Sequence, residues 1–149
     1  MVLRWLLAAL HLLALVIGTG AISIRAWALR GTLTEDRLGT VFRADAMWGI
    51  AALLWIATGA WRAFGGIEKG TGYYLSSMAF WVKMALLAGI LLLEIRPAIT
   101  ITRWRIASRR GEPFGIDDAP LLSRISIIQV VLVGFMVFAA TAMARGLLH

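Results

Sequence analysis

Apolar positions in this chain gather into four long stretches, separated by short polar segments. LLAALHLLALVIG lies in the first stretch and FWVKMALLAGILLL in the third. A run of about 20 apolar residues has the length of a helix that crosses a hydrocarbon layer about 30 Å thick. The pattern predicts helices over about 3–29, 46–64, 75–95 and 121–145. Gly31 is placed to stop the first. Thr34 ahead of Glu35 and Asp36 fits an N-cap, and Thr32 with Glu35 fits a capping box. A short amphipathic stretch with Leu38, Val41 and Phe42 on one side then leads into the second helix. Pro97 is expected to kink or end the third helix. Beyond it ITITRWRIASRR, about 98–110, reads as a basic surface extension of the same helix, stopped by Gly111 and Pro113. Asp117 or Asp118 can cap the last helix, with Pro120 in its first turn. The fold class expected is all-α: an integral membrane four-helix bundle forming a single domain over residues 1–149.

Composition agrees with a lipid solvent. Hydrophobic residues make up 60% of the chain and charged residues 15%, against about 45–50% and 25% in soluble domains. The net charge of +7 does not point to nucleic acid, because the arginines cluster in two loops rather than on one amphipathic face. That clustering is the mark of membrane topology. Arg25, Arg30, Arg37 and Arg43 belong to the first loop. Arg96, Arg103, Arg105, Arg109, Arg110 and Arg124 belong to the third. The other side holds Arg4, Arg62, Lys69 and Arg145. The positive-inside rule then puts the first and third loops in the cytoplasm and both termini on the outer, periplasmic side of a bacterial inner (plasma) membrane. The lipid bilayer is the expected partner, with a homo-oligomer or a membrane redox partner as further candidates. Arg4, an apolar run and Ala21-Ile22-Ser23 mimic a cleavable signal, but the run exceeds a typical h-region of about 7–15 residues. A permanent helix is expected there. The absence of cysteine excludes a disulfide, a thiolate metal site and a thiol nucleophile.

Candidate chemistry lies in the ionisable groups inside the apolar stretches. Such groups are costly in a bilayer and commonly mark function. His11 and Lys83 each fall about eight residues into helices that start on the outer side, roughly 12 Å deep. His11 admits a hydrogen bond across helices, or axial ligation of haem iron, or proton transfer. Lys83 admits snorkelling toward the outer interface, or pairing with an anionic group such as a propionate. Trp48, Trp55 and Trp81 are candidates for the walls of a porphyrin pocket or for packing and interface anchors. Near the inner surface Arg25, Arg43, Asp45 and Glu94 are expected to form an ion cluster, read as a structural clasp. Gln129 suits an interhelical hydrogen bond, and Gly18, Gly20, Gly59 and Gly134 suit close helix approach. GGIEKGTG has the wrong order for a phosphate loop and follows no strand. No Ser-His-Asp set and no zinc-type cluster is present, His149 being terminal.

AALHLLALVIGTGAI, FRADAMWGIAALLWIATGAWRAFGGIEKG and FWVKMALLAGILLLEIRP resemble the bacterial membrane proteins grouped as domain of unknown function 2214. That resemblance implies a four-helix inner-membrane protein and no particular activity. More distantly, LHLLALVIGTG with His11 and FWVKMALLAGI with Lys83 are similar to HemJ-type protoporphyrinogen oxidases. CopD-type copper-resistance membrane proteins belong to the same neighbourhood. The similarity implies haem b or a porphyrin bound through His11, with Lys83 as charge partner and catalytic residue. The chain departs from HemJ in lacking a second intramembrane histidine, so two-His ligation within one subunit is excluded. It also lacks the Trp-x-x-Gly of the HemJ first helix. The alternative expectation is a non-enzymatic accessory subunit or assembly factor without a cofactor.

Overall fold

Among the described residues the computed structural model has five helices, four of them long and apolar enough to cross a membrane. The structure describes residues 1–65 and 71–145. The helices are α1 (Val2–Ala28), α2 (Glu35–Phe64), the short α3 (Thr71–Ser76), α4 (Met78–Arg110) and α5 (Ala119–Ala144). Among the described residues there is no strand. Part of the glycine-rich segment expected between the second and third helices, with Lys69, lies outside the described residues, as does His149.

α1 packs most extensively on α2, α4 packs on α5, and α1 packs on α5, whereas α2 and α4 touch only lightly. The bundle is therefore a ring with one loose side. Gly18 explains the closeness of α1 and α2: a Cβ there would meet the Trp48 ring at 3.2 Å and the Ala51 Cβ at 3.3 Å. Gly20 and Gly134, expected to serve the same purpose, have no neighbouring atom within 4 Å of a built Cβ. Leu10, Val16, Ile50, Leu53, Leu92 and Phe138 are among the large apolar side chains left exposed. In a bilayer that outward face meets acyl chains, and Ser23 satisfies its hydroxyl on its own helix, 2.8 Å from the Thr19 carbonyl.

Two elements run on where the hydropathy pattern suggests a break. α2 begins at Glu35 rather than near 46, because Thr34 Oγ1 accepts the Arg37 N–H at 3.3 Å and Leu38, Val41 and Phe42 join a core cluster. α4 passes straight through Pro97 and so includes the basic segment, as expected for an extension of the same helix. The missing proline N–H costs a helix bond, but Pro97, Ile101 and Trp104 are buried on that helix and hold it to its neighbours. The Gly111 end is a Schellman turn: φ is 66°, Gly111 donates to the Ser108 carbonyl at 3.3 Å and Glu112 to that of Ala107 at 3.0 Å. At the start of α5 the Asp118 carboxylate makes no cap; it pairs with Arg96 at 3.0 Å.

The interior is divided lengthwise. One apolar cluster holds Ala14, Ile22, Trp48, Trp55, Ile90 and Met136. A second holds Leu29, Val41, Ile101, Trp104, Ala119 and Leu122. At 33 residues α4 is about 50 Å long, and only about 30 Å of that can lie in hydrocarbon. The second cluster gathers where the end of α1 and the start of α5 meet the first turns of α2 and the C-terminal part of α4.

Candidate functional site

Between the two apolar clusters lies a polar layer centred on Arg25, which is fully buried. Its Nη1 donates to Asp45 Oδ1 at 3.0 Å and to Glu94 Oε1 at 2.7 Å. Its Nη2 donates to Glu94 Oε2 at 2.8 Å and to Gln129 Oε1 at 3.0 Å, and Nε donates to Ser126 Oγ at 3.0 Å. A guanidinium has five N–H groups, and each one is directed at an acceptor. Gln129 also donates to Glu94 Oε2 at 2.8 Å and to the Ile90 carbonyl at 3.1 Å. Arg105 closes the layer, donating to Asp45 Oδ2 at 3.1 Å and to the Phe42 carbonyl at 2.9 Å. Two carboxylates thus face two guanidinium groups.

Three of the four residues expected in this cluster are brought together: Arg25, Asp45 and Glu94. Arg43 is not among them; it is exposed, and its Nε donates back to the Gly39 carbonyl at 3.3 Å. Residues two apart on a helix point about 200° apart, so Arg43 cannot share the inward face of Asp45. Sequence reading missed Arg105 because it took the basic stretch after Pro97 for a surface extension. Along an unbroken α4, Arg105 follows Glu94 by eleven residues, within about 20° of the same face.

The second polar site lies in the other half of the bundle. His11 stands on the inward face of α1 and is buried. Its Nδ1 lies 3.1 Å from the Trp55 carbonyl oxygen and 3.0 Å from Thr58 Oγ1. The Thr58 hydroxyl spends its own proton within α2, 2.7 Å from the Leu54 carbonyl, so toward His11 it accepts. A carbonyl also only accepts. Both partners therefore require a proton on Nδ1. The imidazole stacks on Trp55 with centroids 5.8 Å apart. Gly59 admits the ring, because a Cβ there would sit 3.1 Å from His11 Cε1. α2 thus presents Trp55, Thr58 and Gly59 on one face as a cradle for one histidine.

His11 and Lys83 line one cavity of about 530 Å³, which opens among α1, α2, α4 and α5. Its wall is mainly apolar, and Arg62 from α2 joins Lys83 from α4 as a second cation. α4 starts at Met78, later than expected, so Lys83 is about 7.5 Å from the start of its helix while His11 is about 13.5 Å from the start of α1. Of the three tryptophans considered for the wall, Trp55 lines the cavity. Trp48 packs on Gly18, and Trp81 is exposed with its Nε1 donating to the Leu75 carbonyl at 3.0 Å. Among the described residues no three of His, Cys, Asp and Glu converge as metal ligands. Arg62, Thr58 and Gly59 escaped notice as members of this site, although their spacing from Trp55 puts all of them on one helical face.

Four membrane-length helices around a polar layer and a cavity define a multi-pass α-helical membrane protein. The chain matches the family model described as Predicted membrane protein (DUF2214) over residues 3–147, and it belongs to that family. No curated protein and no solved structure matches it.

Proposed function

We propose that this protein binds haem b or a related porphyrin in the cavity between its four spans, with His11 as the axial ligand and Lys83 as the partner of a carboxylate. The observation that carries this reading is the anchoring of His11 Nδ1 on the Trp55 carbonyl and Thr58 Oγ1. A metal-binding imidazole is typically held in this way, its second nitrogen donating to a carbonyl so that the tautomer and ring plane are fixed. The cavity volume falls within the range of about 300–1,000 Å³ usual for organic ligands. Its chemistry also suits the group: an apolar wall for the macrocycle, a neutral imidazole for iron, and cations for acidic side groups.

In this reading His11 orients and holds the ligand, Trp55 and the apolar wall keep water away, and Lys83 neutralises a carboxylate. Bound haem iron supplies one-electron chemistry, whose potential the axial ligand and the surrounding dielectric set. The finer setting we propose is a bacterial inner membrane, with the cavity end of the bundle outward and the arginine-rich end toward the cytoplasm.

The test is the absorption spectrum of protein purified from cells supplied with haem. A Soret band is expected in the wild type, lost in His11→Ala and retained with weakened binding in Lys83→Met. A protein that stays colourless under these conditions overturns the reading and favours an accessory subunit without a cofactor.

A further inference from the structure

We infer that the Trp55 indole N–H is a ligand-binding donor of the cavity, and that it serves a carboxylate oxygen on the edge of an otherwise apolar ligand. The inference rests on the porphyrin reading and adds to it a contact residue and a requirement for an oxygen acceptor. Trp55 lines the cavity, yet it is only 7% exposed. Among the described residues its Nε1 is the one buried side-chain nitrogen or oxygen without a hydrogen-bond partner.

An indole N–H can only donate. Buried tryptophans usually find an acceptor for it, and a bundle set in hydrocarbon has no bulk water to supply one. The polar groups nearby do not share this lack. His11 Nδ1 donates to the Trp55 carbonyl and to Thr58. The Thr141 hydroxyl, in the same wall, donates to the Phe138 carbonyl at 2.9 Å. Even the exposed Trp81 has an acceptor, the Leu75 carbonyl at 3.0 Å. A phenyl ring at position 55 would face the apolar cluster without leaving a donor unmatched, so packing alone does not call for the indole.

The donor is held in place. The indole stacks on His11 and belongs to a core cluster with Ala14, Trp48 and Met136. Nε1 is shielded by protein, so its acceptor arrives with a ligand that displaces part of the wall. Met84 and Met136 line that wall, and unbranched thioether side chains yield readily. Trp55 thus acts twice: its main-chain carbonyl orients the imidazole, and its side chain meets the ligand's edge.

The experiment uses the zinc complexes of protoporphyrin IX, its dimethyl ester and octaethylporphyrin, which carry carboxylates, esters and alkyl groups respectively. All are diamagnetic and share one macrocycle. The full chain, labelled with 15N, is studied in mild detergent, and the Trp55 indole signal is the one missing from Trp55→Phe. In ligand-free protein its proton is expected at the upfield position of an unbonded indole. It should move furthest downfield with the free acid, less with the ester and least with octaethylporphyrin. Soret titration should show Trp55→Phe binding the free acid about tenfold more weakly and octaethylporphyrin unchanged. The variant keeps an aromatic face for His11 and the main-chain carbonyl that Nδ1 uses. Should it not fold, the wild-type spectra decide alone, because Trp55 is the tryptophan that lines the cavity among the described residues. Equal indole shifts with all three complexes, or a proton already downfield without ligand, overturn this inference while the porphyrin reading stands. No binding of any complex overturns both.

Discussion

Arg25 and Glu94 meet in a two-pronged pair, Nη1 to Oε1 at 2.7 Å and Nη2 to Oε2 at 2.8 Å, with the arginine side chain wholly shielded from solvent. The geometry joins α1 to α4, which otherwise make no extensive direct contact. It also makes the arginine irreplaceable by a different cation. Removing one member of a buried ion pair typically costs about 3–5 kcal/mol, because the other charge is left without compensation. Arg25→Ala is expected to lower unfolding stability in detergent by that amount, as read from denaturant titration followed by circular dichroism. Arg25→Lys should recover only a minor part, because an ammonium has three donors where five acceptors wait. A loss below about 1 kcal/mol for Arg25→Ala would show the layer to be dispensable.

Arg43 and Arg105 separate the expected cluster from the observed one. Arg43→Gln changes an exposed side chain bonded to its own helix, and stability should stay within about 0.5 kcal/mol of wild type. Arg105→Gln removes a contact with Asp45 and the Phe42 carbonyl and should cost about 1–3 kcal/mol. Thermal melts of the two single variants, run side by side, give the ordering; the reverse order would place the closing cation of the layer at Arg43.

Close helix approach supplies a third test. Gly18→Leu drives a side chain into the Trp48 ring and Ala51 and should destabilise the α1–α2 contact by about 1–3 kcal/mol or more. Gly20→Leu, two residues on, adds its side chain to open space and should be tolerated. Yield of monodisperse protein and melting temperature are the readouts.

The cradle of His11 makes a fourth prediction. Thr58→Val removes one acceptor of the Nδ1 proton and Gly59→Ala places a methyl 3.1 Å from Cε1. Gly59→Ala should displace the ring and shift the Soret maximum of haem-loaded protein. Thr58→Val should leave the ring held by the Trp55 carbonyl alone and change the spectrum less, with Thr58→Ser close to wild type. Overall helix content should not move in any of them.

Much of this architecture is legible in the chain because hydrocarbon imposes a simple length rule. The four apolar stretches announce four spans, and the same-face spacing of Lys83 and Glu94 on one helix, and of His11 and Arg25 on another, follows from 3.6 residues per turn. What escaped reading depended on tertiary contacts. Pro97 argues locally for a break, yet the burial of Ile101 and Trp104 carries α4 onward, and that continuity decides whether Arg105 reaches Asp45. Helix rotation decides the rest. Gly18 and Gly20 look alike in sequence, but one faces a tryptophan ring and the other no neighbouring atom. Arg62 reads as an interfacial charge until α2 is seen to turn Trp55, Thr58 and Arg62 toward α1 and α4.

The layer around Arg25 has a last consequence for traffic. Directly beneath the cavity the spans are stoppered, first by Ile22, Trp48 and Ile90 and then by a guanidinium with every proton engaged. A molecule lodged beside His11 would have this packing below it, and among the described residues the slack α2–α4 seam is the side of the cavity where the helices touch most lightly.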